Sequence, residues 1–157
     1  MLKLSADIVN AFVVPCIKIF EQIIPKSGQM EIGDVYIEKA KISPFEVSIS
    51  SMVSGDLEGR VVLSLSTDIA LEIAEQMMGE MVDSLDSEAQ SAISELMTMI
   101  VGNASAELSK IQHDIKMAPV AFSYGNREHI GSHECPYPVS VPIISDIGTF
   151  ELDLAFY

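Results

Sequence analysis

The chain has 157 residues, 48% of them hydrophobic, and 23 acidic against nine basic side chains give it a net charge of −14. That length suits one domain with a sizeable core, and the charge removes the electrostatic footprint expected of a nucleic-acid binder or of a protein drawn to anionic membranes. Cys16 and Cys135 have no framework spacing and point to a reducing, cytoplasmic setting.

At the N-terminal end, Ile8, Val9, Phe12, Val13, Cys16, Ile17, Phe20, Ile23 and Ile24 recur at helical spacing. They predict an amphipathic helix ending near Pro25, with Pro15 bending it around the core. Asp7, Asn10, Lys18, Glu21 and Gln22 interrupt the apolar run, which therefore reads as neither signal peptide nor membrane span.

Ile32, Val35 and Ile37 suggest a strand with an irregularity at Gly33, ended by Ser43-Pro44. Phe45, Val47, Ile49, Ser51 and Val53 then alternate, Gly55 to Gly59 supply a turn, and Arg60 to Ser66 return as the second arm of an antiparallel hairpin. Ser66, Thr67 and Asp68 offer caps for a short helix through Met77-Met78, which Gly79 can close in the left-handed conformation.

The stretch Ser87 to Lys110 predicts the central helix. Ser87 and Gln90 form a capping-box pattern, and Asp83, Asp86 and Glu88 place negative charge at its start. Ala89, Ala92, Ile93, Leu96, Met97, Ile100, Ala104, Leu108 and Ile111 make one broad apolar face. Opposite it, Ser91, Glu95, Thr98, Gly102, Ser105 and Ser109 fall within roughly 40° of one line at about 100° per residue. A glycine in a helix interior costs about 1 kcal/mol relative to alanine, so the stripe is either a small polar surface or a face that something approaches closely.

Farther on, Ile115 to Tyr124 is strand-like with Pro119 inside it, which makes it an edge strand or a bulged one. A loop follows, and then Val139 to Ile144 and Thr149 to Phe156 form a hairpin across Asp146-Ile147-Gly148. Runs of strands split by helices predict an α+β fold: a single domain over 1–157, with long helices packed on an antiparallel sheet.

Several chemistries are absent from the motifs. His129, His133 and Cys135 have ligand-type side chains without the spacing of a known metal site, so no metal is assigned. No glycine-rich phosphate loop follows a strand, and no serine lies in a Gly-x-Ser-x-Gly turn. The nine methionines read as core filler.

Around Glu95 the sequence resembles the CheX/CheC/FliY family of chemotaxis phosphatases over nearly the whole chain. The resemblance lies in Asn10-Ala11-Phe12, Gly59-Arg60-Val61-Val62-Leu63-Ser64-Leu65-Ser66, Met77-Met78-Gly79-Glu80, Glu95-Leu96 and Gly102-Asn103-Ala104. The family motif is Asp or Ser, three residues, Glu, two residues, Asn, and a Pro about twenty residues later; Ser91, Glu95 and Pro119 match it. The resemblance implies hydrolysis of the aspartyl phosphate on a CheY-type receiver domain. In that role the motif glutamate engages a lysine of the receiver, the motif asparagine orients the attacking water, and the receiver supplies Mg²⁺, so that the chain needs no cofactor of its own. Gly102 and Ser105 then permit close approach, and Ser91 and Pro119 belong to the partner-binding surface. A homodimer paired through its sheets is implied as well. The chain departs from the motif at Thr98, which stands at the asparagine position and has one polar atom where an amide has two. Asn103 lies about 80° around the helix from Glu95 and falls on the packing flank. The alternative function is a module of the same fold that binds a receiver without hydrolysing it.

Overall fold

The computed structural model describes residues 4–125 and 127–157. Helix α1 (Ala6–Ile23) starts at Ser5, whose hydroxyl accepts from the Ile8 amide at 3.3 Å, and continues through Pro15 as one helix. Strands β1 (Glu31–Ile32) and β2 (Tyr36–Ile37) both pair with β7 (Val139–Ser145). Gly33, between them, donates to the Pro142 carbonyl, so the expected irregularity is a single edge strand split in two. Hairpin β3–β4 (Val47–Gly55 and Gly59–Leu65) and hairpin β7–β8 (β8, Gly148–Phe156) join through β4 and β8 at the sheet centre. Gly59 is needed there, because at its φ of +146° a Cβ would meet the Ala155 carbonyl oxygen at 2.0 Å. The far edge is β5 (Ile115–Met117) and β6 (Ala121–Tyr124), each paired with β3. The sheet is therefore antiparallel throughout, in the order β1-β7-β8-β4-β3-β5.

Two more helices complete the core. Helix α2 (Thr67–Met78) is capped by the Ser66 hydroxyl and closed by Gly79 at φ 72°, ψ 20°, as expected. Helix α3 (Ser87–Lys110) has the expected span but a different cap: Asp86, not Ser87, is the N-cap, its carboxylate accepting from the Ala89 amide at 2.9 Å. Gln90 reaches back to the Leu85 carbonyl instead of closing a box with Ser87. Asp86 prevails because it holds the extended backbone of a cap while Ser87 is already helical.

Alternation puts Val61, Leu63, Leu65, Leu152, Leu154 and Phe156 on the helix-facing side of the sheet, all buried. Phe20 stacks on Phe150 at 4.3 Å and Phe12 meets Phe156 at 5.5 Å, which seats α1 on β8. Leu96, Met97, Ile100 and Ala104 of α3 are fully buried against the same core. Ile111, expected on this face, is 37% exposed because the helix has ended at Lys110.

The other side of the sheet is also covered. Asp153, Ser64 and Ser140 are fully buried, and Lys41 and Glu151 nearly so. Lys41 pairs with Glu151 at 3.3 Å, Tyr36 donates to Glu151 at 2.5 Å, Lys41 donates to the Tyr36 hydroxyl, and Ser64 donates to Asp153 at 3.0 Å. Segment 36–43 thus straps the outer face of β8 through charged groups. Burial, joined by the nearby Glu151 carboxylate, pushes the Asp153 carboxyl up to about 6; Ser140, Lys41 and Ser64 pull the other way.

Candidate functional site

The apolar face of α3 fixes its rotation on the core, so the opposite stripe must face outward. Ser91, Glu95, Thr98 and Gly102 are exposed, and Ser105 is half-buried. Seven residues separate Ser91 from Thr98, about 10 Å of helix. Nothing lies within 4 Å of where a Gly102 Cβ would be, so that part of the stripe is open. Asn103 is exposed too, and its amide donates to the Met99 carbonyl at 2.8 Å rather than packing on the flank.

An open groove of about 600 Å³ runs beside this stripe, lined by Ser87, Gln90, Ser91, Ser94, Glu95, Thr98, Val120 and Phe122. Three of the sequence-predicted residues, Ser91, Glu95 and Thr98, therefore share one site, whereas Gly102 and Ser105 lie beyond its end on the helix. Glu95 is the one carboxylate in the lining and, among the described residues, makes no salt bridge. Thr98 is less free: its hydroxyl donates to the Ser94 carbonyl at 3.0 Å. With its hydrogen committed, Oγ1 presents lone pairs only and can accept a hydrogen bond from the groove.

The second wall comes from the edge strand. Val53 faces Met117 and Ser50 faces Ala121, so Ser51 and Met52 of β3 stand opposite three residues, Ala118, Pro119 and Val120. This is a β-bulge at Pro119, which has no N–H for the ladder. It is pinned on both sides, since Ser51 donates to the Ala118 carbonyl and the Ala118 amide donates to Met52, each at 2.9 Å. One extra residue reverses the alternation: Ile115 and Met117 face the helices before the bulge, Val120 and Phe122 after it. Pro119 is itself exposed and outside the groove lining; its effect on the site is to turn Val120 and Phe122 toward α3. The sequence reading missed these two, although the apolar positions change from odd to even numbers across Pro119.

A second groove, on the other side of the Ser91–Glu95 ridge, is lined in part by Met77 and Met78. These methionines are half-buried against the core and also face the site, more than the filler role expected of them. No group of three or more His, Cys, Asp or Glu among the described residues is arranged to hold a metal ion. Burial raises the thiol of Cys16 to about 12 and raises that of Cys135, so neither is poised as a nucleophile. No described helix is long and apolar enough to cross a membrane.

Three helices on one face of an antiparallel sheet, with an acid-bearing helix stripe facing outward, define an α+β domain of the CheX/CheC type. Residues 47–142 match the model of the family described as chemotaxis phosphatase CheX, and the chain belongs to that family. It is 26% identical over 160 residues to the CheY-P phosphatase CheX of Thermotoga maritima, covering 97% of each chain. The crystal structure of the chemotaxis protein CheX from Vibrio vulnificus superposes with a TM-score of 0.83 at 24% identity, covering 97% of this chain and all of that one. The CheX in a CheX–CheY–BeF3–Mg²⁺ complex from Borrelia burgdorferi has the same fold, with a TM-score of 0.78, 21% identity and coverage of 97% and 99%.

Proposed function

We propose that the protein hydrolyses the aspartyl phosphate of a CheY-type receiver domain, with Glu95 as the contact to a receiver lysine and Thr98 as the residue that holds the attacking water. The observation that carries this reading is that Glu95 and Thr98 share one open groove on one long helix, with Ser91 one turn before Glu95. The family, the curated Thermotoga relative and the Borrelia complex with CheY support the partner and the reaction class.

Phosphoryl transfer asks mainly for an in-line nucleophile and for charge placement. A water oxygen bonds to phosphorus, the bond from phosphorus to the aspartyl oxygen breaks with its electron pair going to the carboxylate, and the water's proton passes to the departing phosphate. Glu95, free of ion pairs among the described residues, can fix a partner ammonium group and so the distance between helix and phosphoryl group. Thr98 accepts a hydrogen bond from the water. This reading leaves the Mg²⁺ to the receiver, where it would neutralise charge on the phosphoryl oxygens.

A second reading is favoured by the Thr98–Ser94 bond: a hydroxyl that only accepts controls a water less fully than an amide, which suits a module that binds a receiver without hydrolysing it. A homodimer belongs to the same proposal. The edge formed by β1 and β2 pairs, among the described residues, with β7 on one side only and exposes Ile32, Val35 and Ile37. The function is tested by following phosphate loss from a phosphorylated receiver with Mg²⁺. Acceleration that Glu95→Ala abolishes supports the phosphatase, binding without acceleration supports the module, and absence of binding removes both.

A further inference from the structure

We infer that Val120, with Phe122 beside it, is a positioning residue for the attacking water, forming an apolar wall that makes up for the single polar atom of Thr98. The inference rests on the phosphatase reading above and adds to it two residues on the strand opposite the motif helix. A water that donates to Thr98 Oγ1 can still rotate about that one bond, and the hydroxyl cannot donate in return while it is committed to Ser94. An asparagine side chain would present a donor and an acceptor together. Something else must limit the orientations of the water, and the groove provides it directly across from α3, where Val120 and Phe122 line the same space as Thr98.

Hydrocarbon offers a water no partner, and leaving a hydrogen bond unmade is costly. A water held between this wall and Thr98 therefore has its remaining hydrogen bonds directed along the groove, toward the phosphoryl group of a docked receiver. The wall also stands at a fixed height. Its strand is bulged at Pro119 and pinned by the two hydrogen bonds through Ala118, and without that bulge residues 119 and 121 would face the helix instead. Both residues are half-buried and pack on the main core, so the wall moves with the core and not with a loose loop.

The test is a double-mutant cycle between Val120 and Thr98, read as kcat and KM for a phosphorylated receiver under multiple turnover. Val120→Thr keeps the side-chain shape but gives the wall a hydroxyl. It is expected to lower kcat about tenfold at unchanged KM, while Val120→Ile, which keeps the wall apolar, retains at least about half of the parent kcat. In the Thr98→Asn background the amide takes over orientation, and Val120→Thr is expected to cost less than about twofold. Equal losses in the two backgrounds, or a rise in KM with kcat unchanged, would overturn the inference and leave the phosphatase reading in place. No turnover by the parent, with Glu95→Ala indistinguishable from it, would overturn both.

Discussion

The hydroxyl of Thr98 donates to the carbonyl of Ser94 3.0 Å away, one turn back along the same helix. This bond decides what the motif position can do, since it leaves lone pairs but no proton facing the groove. Thr98→Asn restores a side chain with both donor and acceptor and is expected to raise the dephosphorylation rate severalfold. Thr98→Val keeps the shape, removes the acceptor and is expected to lower the rate at least about tenfold, given the roughly 10²-fold cost of a misplacement of about 1 Å. Stopped-flow rates for the three proteins at one receiver concentration check both directions.

Helix α3 depends on Asp86 for its start. Asp86→Ala removes the acceptor for the Ala89 amide and is expected to cost about 1 kcal/mol, whereas Ser87→Ala costs less than about 0.5 kcal/mol because Ser87 is not the cap. Urea unfolding of the two variants separates them, with the midpoint shifting and the slope unchanged.

The outer-face network carries a pH dependence of defined sign. Asp153 in the folded protein titrates near 6, above its ordinary value of 3.8. Between those two values the folded chain binds the extra proton, so this residue's contribution falls as pH rises from about 4 to about 6 and stays at the lower level above that. The difference is on the order of 2–3 kcal/mol. Asp153→Asn is expected to remove this slope and to be relatively more stable at pH 7 than at pH 4, as read from thermal unfolding of variant and parent at both pH values.

Lys41 is 2% exposed and faces Glu151 at 3.3 Å. Burial alone would lower its pKa, but Tyr36, Glu151 and Asp153 outweigh that and raise it. Lys41→Ala strands a buried carboxylate and is expected to destabilise the fold by about 3 kcal/mol, while the double variant Lys41→Met, Glu151→Leu recovers most of the loss. Equilibrium unfolding of the single and double variants checks the cycle.

The elements and the helix face were legible in the sequence because both follow from local periodicity. Leu96, Ile100 and Ala104 fix one side of α3, which leaves Glu95 and Thr98 on the other whatever they pack against. What was not legible depended on partners far along the chain. Glu151 and Asp153 alternate with Leu152 and Leu154 as if they faced solvent, and what covers them includes Tyr36 and Lys41 of the strap, more than 100 residues earlier. The second wall of the groove is an intermediate case. Pro119 announced an irregular strand, but placing Val120 and Phe122 needed the register of β3 against β5 and β6, which the residues alone do not print.

The most direct test of the account is turnover. A phosphorylated CheY-type receiver with Mg²⁺ is mixed with the protein at one-twentieth of its concentration or less, and inorganic phosphate is followed to completion. The account predicts that every receiver loses its phosphate faster than by its own decay, with the rate proportional to the added protein and lost in Glu95→Ala. Release no faster than spontaneous decay, despite measurable binding, would contradict it.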